Sequence, residues 1–316
     1  MIESKLNILV TGCGGDIGQS IGKILNQYPR TGNLYGMDMS DKHPGKFIFE
    51  NFSLGLPCRD EKYISSLELF VVVNDIDLII PASEPELRFL SEIGIGDSIG
   101  KAKLIMSSDL SRSIGFDKLV TAEFLRENNL PFPETKLVLK VDAIDSFPFI
   151  MKSRTGSGSS QVHVVRDSNS FKYLKEHNEN FILQEYLDNK LGEFTCGVYR
   201  SSKKEVRSII LMRELTGGYS GYGKVVENDQ ITVLLENIAI NLSLRGSINV
   251  QLRITEKGPV VFEINPRFSS TVLFRHMFGF EDLIWSIEDI IDLEISPYKN
   301  NSSGKEFFKG FNEYIK

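Results

Sequence analysis

The sequence predicts a chain of mixed α/β and α+β class, with an open parallel α/β region followed by a region of antiparallel strands. In roughly the first third of the chain, short continuous apolar runs alternate with amphipathic segments, as in parallel strands that helices cover on both faces. Beyond the proline-containing stretch Leu130–Pro133, apolar runs follow one another across short polar turns, which is typical of antiparallel sheets. The two patterns indicate more than one domain.

The first third of the chain contains the elements of the parallel region. Each predicted strand is a continuous apolar run, without the polar alternation of a strand that faces water on one side. The segments between the runs carry apolar residues at helical spacing. The predicted strands are Leu6–Val10, Leu34–Met37, Leu78–Ile80 and Leu104–Met106, and the predicted helices are Asp16–Asn26 and Glu61–Val73.

A helix and then a series of strands fill the rest of the chain. After a polar stretch at Ser107–Ser113, a helix is predicted over Asp117–Asn128, because Asn129 and Leu130–Pro133 end it. Few helices interrupt the strands that follow. The predicted strands are Phe149–Lys152, Val162–Val165, Phe181–Tyr186, Phe194–Tyr199, Ser208–Arg213 and a hairpin of Asn249–Ile254 and Val260–Ile264, and the predicted helices are Ile231–Leu242 and Asp282–Ile291.

The composition excludes several classes of protein. The chain has 316 residues, 41% of them hydrophobic and 25% charged, which suits about two domains and excludes a disordered or fibrous protein. Its net charge of −6 does not support a large basic surface for nucleic acid. Cys13, Cys58 and Cys196 are scattered without metal-ligand spacing, as in reduced cytosolic thiols. Because no apolar run reaches signal-peptide or membrane-span length, we expect a cytoplasmic protein that binds neither nucleic acid nor a membrane.

A glycine-rich turn follows the first predicted strand. Thr11–Gly18 opens a helix and Asp38 ends the next strand, which is the context of a dinucleotide-binding fingerprint. An NAD(P)-dependent reductase or epimerase is therefore one hypothesis. Tyr186 and Lys190 have the spacing of a reductase pair, but Tyr186 ends a predicted strand and Asp188–Asn189 resembles a turn, so the two residues do not lie on a helix. The other interpretation is that a tight strand-to-helix turn needs glycine in any such fold.

The predicted C-terminal hairpin carries the strongest chemical pattern. Side chains alternate along a strand, so Glu263 and Asn265 share one face while Phe262 and Ile264 turn to the core. Arg267 lies two residues beyond Asn265 and is expected on the same side. Its guanidinium could neutralise a phosphate or an acyl phosphate.

The expected register of this hairpin brings three oxygen ligands together. If Ile254 lies opposite Val260, then Gln251 lies opposite Glu263 and Asn249 lies opposite Asn265, with these side chains on the same face. Amide and carboxylate oxygens in a small set suit Mg²⁺, which takes its other ligands from water and phosphates. The alternative is an exposed polar hairpin face that ends in an Asn-Pro turn.

A strand lysine and a loop of small residues form a second pattern. Lys152 supplies a point charge at the end of a predicted strand, and the loop after it exposes backbone N–H groups that can surround phosphates. Without other evidence, such a segment is more often a flexible loop. The loop residues are Thr155, Gly156, Ser157, Gly158, Ser159 and Ser160.

These elements together resemble the ATP-grasp superfamily, in particular its carboxylate–amine ligases similar to the large chain of carbamoyl phosphate synthase. Asn249–Gln251 and Glu263–Arg267 resemble the metal-binding strand pair of that family, and the resemblance covers most of Asp117–Gly279. It implies that Gln251, Glu263 and Asn265 surround Mg²⁺, with Mn²⁺ as an alternative, and that Arg267 contacts the phosphates.

The resemblance also implies a set of ATP-binding residues. Lys118 opens the lid and reaches the phosphates with Lys152, Phe181–Leu187 is the hinge strand at the adenine, and Glu193 binds the ribose. The match is looser at Ser208–Val226, where Arg213 is a candidate anchor for a carboxylate or phosphate; the alternative is a solvent-exposed arginine. The implied cofactor-binding residues are Lys118, Lys152, Gly156, Ser157, Gly158, Ser159, Glu185, Tyr186, Leu187 and Glu193, and the catalytic candidates are Arg267 and Arg213.

The resemblance implies a division into a pre-ATP-grasp Rossmann-like domain at 1–110, a lid subdomain at 111–184 and a catalytic domain at 185–316. In such proteins the glycine-rich first turn does not bind a dinucleotide. With Ser83–Glu86 it would line the cleft of the acceptor, where Glu84 is a candidate. A glutamate that stabilises a helix start explains Glu84 equally well.

The function implied is an ATP-dependent ligase. It would activate a small-molecule carboxylate as an acyl phosphate and couple it to an amine, with release of ADP and phosphate. A homodimer is a further expectation, since many relatives are dimers. The alternatives are the NAD(P)-dependent reductase or epimerase and a non-catalytic ATP-binding regulatory protein, which would bind Mg·ATP but release no ADP.

Overall fold

The computed structural model describes residues 5–144, 146–156, 162–298, 300, 302–310 and 312–315. Within them the chain forms an N-terminal sheet of mainly parallel strands and two antiparallel sheets. The mixed α/β and α+β class predicted from the sequence is therefore confirmed. No helix in this part of the chain combines the length and the apolar character that a membrane crossing requires.

The first sheet is open and largely buried. Its strands are β1 (Leu6–Thr11), β2 (Thr31–Asp38), β3 (Asn51–Leu54), β4 (Leu78–Pro81), β5 (Ser98–Ile99) and β6 (Ala102–Leu104), and its helices are α1 (Asp16–Leu25), α2 (Tyr63–Val73) and α3 (Glu84–Glu92). The strand order is β3-β2-β1-β4-β6-β5, and the pairs are parallel except β5 with β6. Strand order reverses between β1 and β4, which opens a crevice at their carboxyl ends.

Two helices and a small antiparallel sheet follow. The helices are α4 (Asp109–Gly115) and α5 (Lys118–Glu127). The strands are β7 (Thr135–Leu137), β8 (Phe149–Ser153), β9 (Val162–Val165) and β10 (Phe181–Glu185), with α6 (Ser168–His177) between the last two. Their order is β7-β10-β8-β9, and every pair is antiparallel.

The third sheet is larger and carries the predicted hairpin. Its strands are β11 (Glu193–Arg200), β12 (Val206–Thr216), β13 (Tyr219–Val226), β14 (Gly246–Thr255), β15 (Gly258–Asn265) and β16 (Glu306–Phe308), and its helices are α7 (Asp229–Asn241), α8 (Val272–Met277) and α9 (Asp282–Ile290). The strand order is β15-β14-β11-β12-β13-β16. The hairpin thus lies at one edge, next to the central strand β11.

The first sheet shares a hydrophobic core with the helices α8 and α9, whereas the small sheet has a core of its own. Ile8 and Ile21 of the first region are packed in one cluster with Val272 and Leu283 of α8 and α9. The cluster inside the small sheet, which includes Met151, draws all its residues from positions 138–183. Among the described residues, the small sheet therefore contributes no side chain to the core that joins the first sheet to α8 and α9.

The structure adds elements that the sequence patterns did not predict. The polar stretch Ser107–Ser113 contains most of α4, and α6 interrupts a region where few helices were expected. The buried face of α4 includes Ser111 and Arg112, and α6 buries Phe171 alone among its residues, so the sequence carries little apolar periodicity there. The expected strands at Leu104–Met106 and Phe181–Tyr186 end earlier, at Leu104 and Glu185.

Candidate active site

A cavity of about 570 Å³ opens between the three sheets. Its walls come from the turns after β1 and β4, from the small sheet, and from β11, β12, β14 and β15. A volume of this size is in the range of cofactor and substrate pockets. Predicted site residues that line it are Lys118, Lys152, Gly156, Glu185, Leu187, Glu193, Arg213, Gln251, Glu263, Asn265 and Arg267.

The hairpin turns its amide and carboxylate side chains toward the cavity. Gln251 pairs with Glu263 across β14 and β15, and Asn249 pairs with Asn265. The Oγ1 hydroxyl of Thr195 donates to Oδ1 of Asn249 at 2.9 Å, which holds that amide against β11. Gln251, Glu263 and Asn265 all line the cavity. Their oxygen donors suit Mg²⁺, so the residues present fit the ion that the sequence predicted.

This register arises by a different route from the predicted one. Ile254 lies opposite Pro259, not Val260, because the turn is shorter than expected. A β-bulge between Gln251 and Leu252 then inserts Phe262 as an extra residue and restores the pairing of Gln251 with Glu263. The expectation that Phe262 turns to the core is therefore wrong. Its ring lines the cavity and lies 5.6 Å from Nζ of Lys152.

Two lysines place positive charge beside the oxygen face. Nζ of Lys118 lies 3.6 Å from Glu263 and donates to the carbonyl of Gly156 at 2.7 Å. Lys118 begins α5 because the Asp117 carboxylate caps the helix, accepting from the backbone N–H groups of Leu119 and Val120. The same carboxylate pairs with Arg154 at the end of the small sheet.

Lys152 is the more deeply buried of the two lysines, with 6% of its surface exposed. Burial lowers the pKa of its ammonium group to about 8, although the nearby Glu263 carboxylate acts in the opposite direction. Nζ donates to the carbonyl of Phe262 at 3.4 Å. A buried cation with so few partners suits an anionic ligand.

Glu193 is held between two arginines. One carboxylate oxygen accepts from Nη2 of Arg213 at 2.8 Å, and the other accepts from Nη2 of Arg253 at 2.7 Å. Arg213 also donates to Oε1 of Gln251 at 2.8 Å. The interpretation of Arg213 as an arginine in solvent is wrong, since only 10% of its side chain is exposed.

The predicted hinge residues and the glycine-containing loop lie only partly at the cavity wall that the structure describes. Glu185 and Leu187 line the cavity, and the carbonyl of Leu187 accepts from Arg253. Oε2 of Glu185 accepts from the backbone N–H of Glu134 at 3.2 Å. Tyr186 is not among the lining residues that the structure describes. Gly156 lines the cavity, whereas Ser157, Gly158 and Ser159 lie outside the described residues.

Arg267 links the hairpin to the first sheet. Its Nε lies 3.4 Å from Glu84, and its Nη2 donates to Oδ1 of Asn265 at 3.3 Å. Glu84 does not line the cavity among the described residues and also pairs with Arg88 on its own helix at 2.8 Å. It therefore contacts the arginine that faces the cavity, and does not face the cavity itself.

Packing explains the glycines of the first turn. A Cβ atom on Gly14 would lie 2.4 Å from the ring of His43, and one on Gly18 would lie 2.5 Å from the carbonyl oxygen of Gly12. Gly12 itself has a φ of +64°. These contacts favour the interpretation that the tight turn needs glycine. The turn nevertheless faces the cavity, through Gly12, Gly15 and Asp16.

Sequence reasoning missed Arg253 and Phe262. Arg253 is two residues after Gln251 on β14, so strand alternation alone could have placed it on the cavity face. Phe262 could not have been found in this way, since only the bulge turns it toward the cavity.

Comparisons with known proteins agree with this geometry. Residues 116–271 match the family described as the ATP-grasp domain. Over 244 residues the chain is 26% identical to the glutamate–LysW ligase ArgX of Sulfolobus acidocaldarius, covering 66% of this chain and 80% of that protein. It is 25% identical over 153 residues to the C-terminal section of the carbamoyl phosphate synthase large chain of Aquifex aeolicus, covering 43% of this chain and 28% of that protein.

Solved structures share the fold. A crystal structure of an N5-carboxyaminoimidazole ribonucleotide synthetase in complex with ADP superposes with a TM-score of 0.75 at 16% identity, covering 95% of this chain and 80% of that one. The alignment therefore extends over the first sheet as well as over the region that matches the family. The family resemblance predicted from the sequence is confirmed.

Proposed function

Because the chain belongs to the ATP-grasp family, we propose that it is an ATP-dependent ligase that joins a small-molecule carboxylate to an amine. The carboxylate attacks the γ-phosphate of ATP, ADP leaves, and the amine then displaces phosphate from the acyl phosphate. One observation carries the proposal: Lys118, Lys152 and Arg267 face the oxygen donors of the hairpin within one cavity. Phosphoryl transfer depends mainly on such positioning and charge stabilisation.

In this proposal the nucleotide lies between the small sheet and the third sheet. Glu185 and Leu187 take the adenine end, with Tyr186 beside them in the hinge, and Glu193 takes the ribose end. Lys118, Lys152 and the loop of Gly156, Ser157, Gly158 and Ser159 hold the phosphates. The two arginines that pair with Glu193 hold its carboxylate in a fixed position.

Gln251, Glu263 and Asn265 are the proposed ligands of Mg²⁺, with Mn²⁺ as an alternative. When bound, the ion neutralises phosphate charge. Arg267 contributes charge at the phosphates and is held in place by Glu84. Arg213 is proposed as an anchor for a carboxylate or phosphate, since its guanidinium lines the cavity between Glu193 and Gln251.

The acceptor is proposed to enter beside the glycine turn. Gly12, Asp16 and Ser83 form that end of the cavity, at the carboxyl ends of β1 and β4. Closure of the small sheet would exclude water, which otherwise hydrolyses an acyl phosphate. A cytoplasmic location and a homodimer complete the proposal.

Thermal unfolding with single ligands tests the nucleotide site. A ligand at a hundred times its Kd adds about 2.7 kcal/mol to the folded state. We expect Mg·ATP and Mg·ADP to raise Tm and expect a chelator to remove most of the effect. A rise with NADH or NADPH but not with Mg·ATP would contradict the proposal and favour a reductase at the glycine turn.

Release of ADP tests the catalytic part of the proposal. Mixtures of carboxylates and amines should include a pair that accelerates ADP release, and Glu263→Gln should abolish that release while the chain stays folded. Glu256→Gln is the matched control, since Glu256 is exposed in the turn of the same hairpin. Mg·ATP binding without ADP release for any pair would indicate a regulatory protein instead.

A further inference from the structure

Three potential metal ligands meet beside the glycine turn, outside the cavity. Cys13 follows β1, Asp38 ends β2, and His43 precedes a 3₁₀ helix at Pro44–Phe47. One ligand atom from each lies within 4.8 Å of the other two. Sequence spacing could not predict this cluster, because the pairing of β1 with β2 brings together residues that are far apart in the chain.

The imidazole of His43 has unmet hydrogen-bonding capacity. Both of its ring nitrogens are buried, and neither has a hydrogen-bond partner in the part of the chain that the structure describes. Buried polar groups are normally paired, and an unpaired one calls for an explanation such as an ion. His43 therefore points to a ligand at this position.

The surrounding backbone is built to bring the three side chains together. A Cβ atom on Gly45 would lie 2.5 Å from the carbonyl oxygen of Cys13, and one on Gly14 would lie 2.4 Å from the His43 ring. Only glycine at both positions lets the ring approach Cys13. The Asp38 carboxylate is oriented by the backbone N–H of Gly14, which donates to Oδ2 at 2.9 Å.

We propose that Cys13, Asp38 and His43 bind one Zn²⁺ ion. Thiolate, imidazole and carboxylate are the ligands of zinc in proteins, whereas Mg²⁺ takes oxygen ligands and does not select a thiolate. Ligand atoms around a tetrahedral zinc lie roughly 3.3–3.6 Å apart, so small side-chain rotations complete the site. Asp38 and His43 are half-buried, and Cys13 is fully buried.

The site would fix the shape of the glycine turn. The ion ties the loop after β1 to the loop after β2, and Gly12, Gly15 and Asp16 of the same turn line the cavity. It is distinct from the proposed Mg²⁺ site, whose ligands contain no sulfur. Its role is structural support for one wall of the cavity.

Cobalt titration of the full chain tests the site, because Co²⁺ replaces Zn²⁺ and reports thiolate ligation by a charge-transfer band. After dialysis against a chelator, we expect the band to saturate at one Co²⁺ per chain and to disappear when Zn²⁺ is added. Cys13→Ser should abolish the band. Cys58→Ser is the matched control and should leave it unchanged, since Cys58 is a half-buried cysteine outside the cluster.

Further variants separate this site from the nucleotide site and from effects on folding. Glu263→Gln should retain the full band. His43→Gln should weaken cobalt binding at least tenfold with an unchanged far-ultraviolet circular dichroism spectrum. If Cys13→Ser does not fold, the cobalt affinity of His43→Gln tests whether the cluster binds the ion. The proposal is overturned if the folded parent chain gives no band at millimolar Co²⁺, or if His43→Gln binds as tightly as the parent.

Discussion

Lys152 carries its positive charge where little water reaches it. Burial lowers its pKa to about 8, compared with 10.5 for an exposed lysine. Between these values the unfolded chain binds more protons than the folded one, so the free energy of unfolding rises with pH across that window. Below about pH 8 both states hold the proton, and the buried charge costs the folded state its full penalty. A bound phosphate would relieve that penalty.

Replacement of Lys152 by methionine should separate stability from binding. We expect Lys152→Met to unfold with a free energy higher by up to about 3 kcal/mol at pH 7, since the buried charge is gone. The difference from the parent should shrink as pH rises from 8 toward 10.5, while affinity for Mg·ADP falls at all pH values. Urea unfolding and ligand titration over this range measure both effects.

Lys136→Met is the control for this variant, because Lys136 is exposed on β7 of the same small sheet. It should change neither the free energy of unfolding nor its pH dependence. Parallel pH profiles for the parent and Lys152→Met would show that the buried charge does not carry the effect.

At the scale of single residues, the sequence predicts the strand face on which a side chain lies better than it predicts the residues that the side chain contacts. Strand alternation placed Glu263 and Asn265 on one face correctly. The two arginines on Glu193 could not be predicted, since Arg213 and Arg253 reach it only through the register of β11 with β12 and β14. That register is fixed by the packing of the whole third sheet.

The bulge in β15 adds an aromatic residue to the oxygen face of the hairpin. Phe262 and Glu263 both point toward the cavity, whereas Val261 and Ile264 on either side are fully buried. Removal of the extra residue would leave a regular ladder in which Glu263 still pairs with Gln251. The bulge thus adds an aromatic ring to the cavity without moving the predicted metal ligands.

Single-residue deletions test this description of the hairpin. Deletion of Phe262 should leave the chain folded, with weaker nucleotide binding because Lys152 loses its aromatic neighbour. Deletion of Ile264 should unfold the hairpin, since Asn265 would take a core position. Circular dichroism and Mg·ADP titration distinguish the two. Equal damage from both deletions would contradict the bulge.

Among the secondary-structure elements, the sequence predicts strands that are continuous apolar runs, but it does not predict strands that are polar, glycine-rich or very short. The sequence predicts β1, β4 and β10 because each contains a run of consecutive apolar residues, which is typical of a buried strand. β13 contains two glycines and small polar residues, and β16 is three residues long and depends on pairing with β13. Such strands are stabilised by pairing with neighbouring strands, so no local sequence pattern predicts them.

Across the whole molecule, the first and third regions depend on each other for burial. Strands and helices of the first sheet pack directly against α8 and α9 in one cluster. A chain that ends after residue 110 would expose that surface to water. The division at residue 110 therefore remains a proposal about where the N-terminal domain ends in the sequence. We do not expect that domain to fold on its own.

Truncation after residue 110 measures this dependence. We expect the fragment to bind a hydrophobic dye and to unfold without a cooperative transition, because Ile8, Ile21 and their neighbours lose Val272 and Leu283. Dye fluorescence and thermal unfolding test it against the full chain. A fragment with a sharp transition and no dye binding would contradict the shared core.

The contact between Glu84 and Arg267 couples the first region to the proposed phosphate site. Glu84→Gln removes the charge that holds the guanidinium, so we expect ADP release to slow roughly tenfold or more through loss of positioning. Glu92→Gln on the same helix is the control, since its pair with Arg59 is exposed and contributes little. Equal rates for the two variants would remove Glu84 from the mechanism.

The basic residues of the cavity lie inside a chain whose net charge is −6. Polyanions therefore meet an unfavourable average field outside, and an attractive one only within about a Debye length, near 10 Å at 0.1 M salt, of the cavity mouth. We therefore expect the cavity to admit the phosphates of a single nucleotide but not those of a long nucleic acid. The position of Lys118, Lys152 and Arg267 inside the cavity would then make the protein selective by size among anions of similar charge density, before any contact with a base is made.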